Sequence, residues 1–417
     1  MTSRPDVLIV GAGLAGLSAA VTVQRAGFNP LVVEGTDRVG GRVRTDVING
    51  FRIDHGFQVF NPAYPTARAL LNYDALKLNS FSPGVRVLNH EGASVLGNPL
   101  RDASYFVTYA KSLRKGGISA IGDVAKFGIY AGLAAAKSSP DMFDCSAREA
   151  LQRAGLSEDF IDHTVQPFLT GVFLEDGLET SRRFLDFVLE YFIKGVPALP
   201  ADGMAAIPLQ LTGLLHADAI RLNTWTHGVD EKSINTDAGH LVADAVIVAT
   251  EQDTAHAWNG SQNYGWRSVT TWYHSFPSAE MKLVEGKALL TVDGQHRGPV
   301  INTVPLTHAA SSYAPSGMTL VSSSTLGSDS SASAEQAVRQ HLALMYGVNT
   351  QSWTTVTSTV VQKALPRAVP PFTVHSDVPV SNGVFIAGDH LRQPSIEGAM
   401  ASGVAAGRAA VAKLRGR

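Results

Sequence analysis

The feature that most constrains this chain lies in its first 34 residues. A β-branched run, Asp6-Val7-Leu8-Ile9-Val10, enters Gly11-Ala12-Gly13-Leu14-Ala15-Gly16 without a break. Leu17 to Arg25 has helical composition, and Leu31-Val32-Val33 then ends on Glu34. Strand, GxGxxG turn, helix, strand and acid in that order predict a βαβ dinucleotide-binding unit. Gly11 permits the tight turn, Gly13 lets the backbone approach a pyrophosphate on the helix N-terminus, and Gly16 lets helix and strand pack closely. Leu14 and Ala15 belong to the same binding turn. Glu34, 18 residues after Gly16, is spaced to accept hydrogen bonds from a ribose diol, and its charge disfavours a 2′-phosphate and hence NADP.

The fingerprint alone does not separate NAD from FAD. Gly35 follows the acid, and Arg38-Val39-Gly40-Gly41-Arg42 then brings a second glycine pair, which suggests continued backbone contact with an extended cofactor. Arg42 is a charge-assisted donor for a pyrophosphate. Phe51-Arg52-Ile53-Asp54-His55-Gly56 follows. Near the other end, Val384-Phe385-Ile386-Ala387-Gly388-Asp389 reads as a strand entering a turn, and Ser395-Ile396-Glu397-Gly398-Ala399 opens an Ala/Gly-rich helix to about Leu414. That arrangement can aim Asp389 at a polyol and a helix N-terminus at an anionic ring edge.

Composition removes several alternatives. Hydrophobic residues make up 45% of the 417, so the chain can bury a large core. Lys+Arg 34 against Asp+Glu 36 gives no basic excess for nucleic acid. Cys145 is the lone cysteine, which excludes an intrachain disulfide and suits a reducing cytoplasm. The 13 histidines are scattered, so helical metal-ligand spacing is absent and no metal is expected. Neither Val7 to Val23, interrupted by glycines, nor Phe127 to Ala136 reaches the roughly 20 apolar residues of a membrane span.

The chain resembles the superfamily of flavin amine oxidases, protoporphyrinogen oxidases and phytoene desaturases. The matching pieces are Gly11 to Gly16 with Glu34, Arg38 to Arg42, Asp54-His55-Gly56, Pro200-Ala201-Asp202-Gly203-Met204, Val246-Ile247-Val248-Ala249-Thr250, and Gly388-Asp389 with Glu397-Gly398-Ala399. They span nearly the whole chain in the family's order. The resemblance implies FAD, with Asp389 on the ribityl chain and the turn before the last helix at the flavin ring. It implies Val229 as a backbone contact to adenine, and Ala249 and Thr250 beside the cofactor. Family members with covalent flavin use a cysteine near the C-terminal motif. Cys145 is far from it in sequence, so non-covalent FAD is expected.

The expected fold is α/β, with a discontinuous Rossmann-like FAD domain (about 1–60, 200–255 and 370–417) and an inserted α+β substrate domain (61–199 and 256–369). The first insert is expected to be mostly helical. The second is expected to hold strands at Val269 to Phe276, Leu289 to Val292 and Thr319 to Ser323. Pro200 to Leu215 is expected as a helix, and Ser322 to Ser333 as a loop. Ser333 with Gln336 predicts the capping box of a helix to about Tyr346, closed by Gly347.

Amine oxidases of the superfamily carry a lysine that holds a water at flavin N5. Matching Ser268 to Tyr273 to that strand puts Thr271 at the lysine position, with Lys282 as a fallback. Ser395 and Ile396 replace the aromatic of the family's amine cage. The stretch Pro394 to Gly403 is more similar to plant-type carotene desaturases and squalene-pathway flavoenzymes, which implies hydride transfer from an apolar substrate to flavin N5. Oxygen or a quinone would then accept the electrons. The alternatives are an amine oxidase producing an imine and H2O2, a redox-neutral isomerase using reduced FAD, a non-catalytic flavin-binding subunit, and a weaker NAD-linked dehydrogenase. His55, Thr271 and Trp272 are the candidate catalytic residues; His390 and Tyr273 are further candidates for the site. Lys111, Arg114, Lys115, Lys126 and Lys137, interleaved with Tyr105, Phe106, Tyr109, Phe127 and Tyr130, form a candidate peripheral membrane contact, against the simpler reading of an amphipathic helix pair.

Overall fold

The computed structural model describes residues 4–90, 92–97, 122–136, 143–260, 263–375 and 377–416. The fold is α/β, built on two sheets. The first has six strands in the order 380–381, 384–386, 245–248, 7–10, 30–33, 220–221. Val7–Val10 lies in its middle, parallel to Ala245–Val248 on one side and to Pro30–Val33 on the other. All four of its residues are buried. This is the continuous apolar strand of a sheet covered on both faces. Burying each such side chain is worth roughly 1.5–3 kcal/mol, more than the weak propensity of so short a segment. Every strand of this sheet comes from residues 1–60, 200–255 or 370–417, the three pieces assigned to the cofactor domain.

The second sheet has seven strands, ordered 354–366, 266–277, 318–326, 300–305, 290–293, 85–89, 92–96. Its pairings are antiparallel, except that Leu290–Asp293 runs parallel to Val85–Asn89. Strands therefore occur in the first insert as well as the second. Helices Gln166–Phe173 and Arg182–Lys194 form a separate apolar cluster with Phe127, Phe160 and Phe372.

Three local readings differ. Strand Met318–Leu326 continues through Ser322, Ser323 and Ser324, all buried. Their row is paired on both sides, so the backbone groups are satisfied inside the sheet, and Ser323 Oγ meets Thr303 Oγ1 at 2.8 Å, while the buried Ser322 hydroxyl has no partner among the described residues. Helix Ala332–Tyr346 is capped by Ser331, which accepts from the Ala334 N–H at 3.2 Å, rather than by Ser333. The helix expected over Pro200 to Leu215 contracts to Ala206–Thr212. The Gly203-Met204 turn before it is held by Asp54, which accepts from the Met204 N–H at 3.0 Å, Thr45 Oγ1 at 2.5 Å and Tyr313 Oη at 2.8 Å. Burial raises the Asp54 carboxyl above its ordinary pKa, and these hydrogen bonds oppose that shift. Two motifs quoted for the resemblance are thus one buried structural joint.

No helix among the described residues is long and apolar enough to cross a membrane. Tyr105, Phe106, Tyr109, Lys111, Arg114, Lys115 and Lys137 lie outside the described residues. Of the rest of that segment, Lys126 donates to the Gly155 carbonyl at 2.5 Å, Phe127 is buried, and Tyr130 donates to Asp186 at 2.8 Å.

Candidate functional site

A cavity of about 1580 Å³ opens at the C-terminal ends of the parallel strands and runs between the two sheets into the helical cluster. Position follows topology: ligands of open parallel sheets bind where strand order reverses, here around Val7–Val10.

The outer part of the cavity is made by backbone turns. Gly11 has φ +101°, and a Cβ there would stand 2.8 Å from the Ala249 carbonyl oxygen. The positive φ and the close strand both require glycine. Gly13 caps helix Leu14–Arg25 in extended conformation, and no side chain bonds the freed N–H groups of the first turn. A Cβ on Gly13 would meet no protein atom within 4 Å, because it would point into the cavity. Gly13, Leu14 and Ala15 therefore turn a helix N-terminus without a side-chain cap toward the cavity, an arrangement whose dipole favours negative charge. Gly16 is off the wall, and a Cβ there would run into the Gly11 carbonyl.

Glu34 stands at the end of its strand. Its Oε2 accepts from the Ala12 N–H at 2.8 Å, and its Oε1 accepts from Thr36 N–H and Oγ1 at 2.9 and 2.8 Å. Gly35 is backed by the Trp225 ring. Gly40, Gly41, Ala249, Thr250, Gly388 and Asp389 also line the cavity. Arg42 Nη2 donates to Asp389 Oδ1 at 2.6 Å. Burial pushes the guanidinium pKa down, but Asp389 outweighs that and leaves it raised, so Arg42 stays charged.

Several sequence-based candidates stand elsewhere. Arg38 pairs with Asp46 at 2.6 Å at the surface; Arg44, two residues after Arg42, lines the cavity instead, its Nε donating to the Gly41 carbonyl at 2.6 Å. His55 Nε2 meets the other Asp46 oxygen at 2.7 Å and is off the cavity wall, as is Gly56; Phe57 and Gln58 line it. Val229 packs on the far face of the first sheet with Ile234, and Thr224, Trp225 and Thr226 line that end. Glu397 turns away to accept from Thr66 N–H and Oγ1 and from the Ala67 N–H, capping helix Pro65–Leu70. Burial raises its pKa against those bonds. Gly398 packs on Gln393 and donates its N–H to Ser395 Oγ at 2.9 Å. Ser395, Ile396 and Ala399 are what the last helix shows the cavity.

Thr271 is buried and accepts the Phe57 N–H at 3.2 Å, one layer behind the cavity. Trp272, alternating to the opposite face of its strand, packs with Phe276, Leu342 and Trp353 and donates to Thr325 Oγ1 at 3.3 Å. Tyr273 Oη donates to the Asp54 carbonyl at 2.7 Å. His390 is buried, which lowers its pKa, and it is off the wall. Among the described residues no lysine lines the cavity, and no three His, Cys, Asp or Glu side chains could hold a metal.

The inner chamber was not singled out from sequence. Helix Arg182–Lys194 gives it Phe184, Phe187, Val188, Tyr191 and Phe192, a stripe at i, i+3, i+4, i+7, i+8 that a periodicity reading could have found. The charged residues on the described wall are Glu34, Arg42, Arg44, Glu251 and Asp389, all in the segments that follow strands of the first sheet. The described lining of the inner chamber carries no charge.

The family model for flavin containing amine oxidoreductases matches residues 14–411. Polyamine oxidase 2 of Arabidopsis thaliana is 44% identical over 70 residues, which is 15% of this chain and 14% of that protein's length. An oxidoreductase structure from Methanosarcina mazei superposes with a TM-score of 0.72 at 17% identity, covering 95% of this chain and 98% of that one. A putrescine oxidase with putrescine bound gives 0.70 at 17% identity, with 100% of both chains covered. At those identities the structures speak for the fold. The family match begins just after the first strand and its glycine turn and takes in the rest of both sheets, and this chain belongs to the family of flavin-containing amine oxidoreductases.

Proposed function

We propose that this chain is an FAD-dependent oxidoreductase that holds FAD non-covalently and oxidises an uncharged, largely apolar small molecule at a C–H bond. The outer cavity fits the cofactor: Gly13 leaves room for a pyrophosphate against a helix N-terminus without a side-chain cap, Glu34 can accept from a ribose diol, and Asp389 from the polyol chain. Cys145 is packed in the helical cluster, away from the cavity, which supports non-covalent binding. When bound, FAD supplies the two-electron acceptor. The chain's own work is to position and to exclude water. Ile396 and Ala399 bring the positive end of helix Ile396–Arg415 to the cavity, where it favours negative charge. Phe184, Phe187 and Phe192 enclose the substrate's apolar body.

The observation that carries the substrate class is the uncharged inner chamber. An ammonium or carboxylate entering it would lose its hydration with no opposite charge on the described wall. A second reading, oxidation of an amine, is favoured by the relatives named polyamine and putrescine oxidase. Tyr64 and Tyr191, both on the wall with ring centroids 4.9 Å apart, offer π faces to an amine entering uncharged.

Anaerobic bleaching of the flavin absorbance decides between them. Bleaching by terpenoid hydrocarbons or alcohols and not by putrescine or spermidine is the expected result. Bleaching by the amines alone overturns the apolar-substrate reading. Oxygen or a quinone as reoxidant then shows itself by which restores the absorbance.

A further inference from the structure

Among the polar groups of the described inner chamber, the carboxamide of Asn302 is one that the proposed reaction does not use. Asn302 sits on strand Val300–Pro305, lines the cavity, and is 3% exposed. Its backbone pairs with Ser324. Its side-chain amide makes no hydrogen bond to the described residues, and it is open to the cavity rather than sealed in the core. The other carboxamides on the wall are at least partly engaged, though Gln58 Oε1 has no partner among the described residues. Asn61 donates to the Tyr191 carbonyl at 2.8 Å and accepts the Ala63 N–H at 3.0 Å, and Gln58 donates to the carbonyls of Arg42 and His55 at 2.8 and 3.0 Å. Asn302 also has its place prepared. A Cβ on Gly171, in the facing helix Gln166–Phe173, would collide with Asn302 Nδ2, so the absence of a side chain at 171 is what lets the amide lie there.

An amide facing an apolar cavity is costly unless water or a ligand bonds it, and a leucine of similar volume would line the same space without that need. Phe168 and Val172 on the same helix show that apolar side chains are the rule on this wall. A carboxamide offers one acceptor and two donors and carries no charge. It matches a neutral hydroxyl or carbonyl. In an uncharged chamber it gives an ammonium or carboxylate no compensating charge.

We propose that Asn302 is a substrate-binding residue that recognises one neutral oxygen function, a hydroxyl or carbonyl, on an otherwise apolar substrate. This rests on the proposed function and narrows it: the substrate is oxygenated at one point, and Asn302 sets which way round it enters. Asn302 is a positioning residue here, since the reacting C–H lies at the cofactor end.

The test uses the purified protein with its flavin and reads binding, not turnover, from calorimetry and thermal shift. The probes are octane, octanol, octanone and octylamine. Wild type is expected to bind octanol or octanone about tenfold more tightly than octane, and Asn302→Leu to abolish that preference while keeping the flavin spectrum and an equal or higher Tm. Asn302→Gln, which keeps the amide but shifts it by one methylene, is expected to retain part of the preference. Equal binding of octane and its oxygenated analogues by wild type, or no binding of any probe, overturns the assignment, and so does a preference that survives Asn302→Leu. Tighter binding of octylamine than of octanol, lost in Asn302→Leu, overturns the oxygen assignment. Because none of these outcomes depends on flavin reduction, failure here is distinct from failure of the bleaching experiment, which tests the oxidoreductase reading itself.

Discussion

Arg42 and Asp389, 347 residues apart, are joined by a 2.6 Å hydrogen-bonded ion pair on the wall of the cavity. The pair ties the glycine-rich segment after the second strand to the turn before the last helix. Asp389 is almost wholly buried, and Arg42 remains a third exposed. Both face the volume assigned to the cofactor.

Asp389→Ala is expected to weaken FAD binding. A hydrogen bond to a charged group is worth about 1.5–3 kcal/mol, so a Kd roughly 10- to 150-fold higher is expected, read by titrating the apoprotein with FAD. An unchanged Kd would remove Asp389 from the cofactor site.

Gly13→Ala and Gly11→Ala separate binding from folding. An alanine at 13 meets no protein atom within 4 Å, so the apoprotein should keep its Tm while FAD affinity falls by about tenfold or more. An alanine at 11 combines a φ of +101° with contact on the Ala249 carbonyl, so it should destabilise the apoprotein itself by about 1–3 kcal/mol. The same loss of Tm in both variants would contradict the open cradle at Gly13.

How much of this was legible in the sequence depends on how local the cause was. The strand, glycine turn, helix and acid of the first 34 residues form within one contiguous stretch, although Gly11 also answers to the distant Ala249 carbonyl. Glu397 illustrates the limit. Its motif marks the start of the last helix, but the carboxylate turns to cap helix Pro65–Leu70, more than 300 residues away, a partner no local pattern announces. Arg38 and Arg44 differ in the same way, because only the folded turn decides which of them faces the cavity. Trp272 and Thr271 were neighbours on a strand, and alternation alone sends them to opposite faces. The aromatic stripe on Arg182–Lys194 was visible in principle, since Phe184, Phe187 and Tyr191 repeat at helical spacing.

His55→Ala is expected to keep both flavin and turnover. His55 bonds Asp46 at a half-exposed site off the cavity, and such a pair contributes about 0–1 kcal/mol, so Tm should drop by only a few degrees. A tenfold fall in turnover with flavin retained would restore a catalytic role.

Asp293 is expected to contribute to acid sensitivity. Burial acts to raise its pKa, but bonds from His341 at 2.9 Å and Arg297 at 3.0 Å outweigh this and hold it well below its ordinary 3.8. A carboxyl depressed in the folded state stabilises it fully above the ordinary value, and that stability is lost as pH falls from there toward the folded value. Asp293→Asn should therefore cost stability at neutral pH and flatten the decline below about pH 4. Parallel urea midpoints for both proteins across pH 3 to 7 check it, and equal slopes would contradict the assignment.

The most direct test of the central claim is the visible absorbance spectrum of the purified protein, taken before and after denaturation and filtration. The account predicts oxidised-flavin bands on the native protein and FAD, identified by mass, in the filtrate. A colourless protein that stays colourless when FAD is added would contradict the site built from Gly11, Gly13, Glu34 and Asp389.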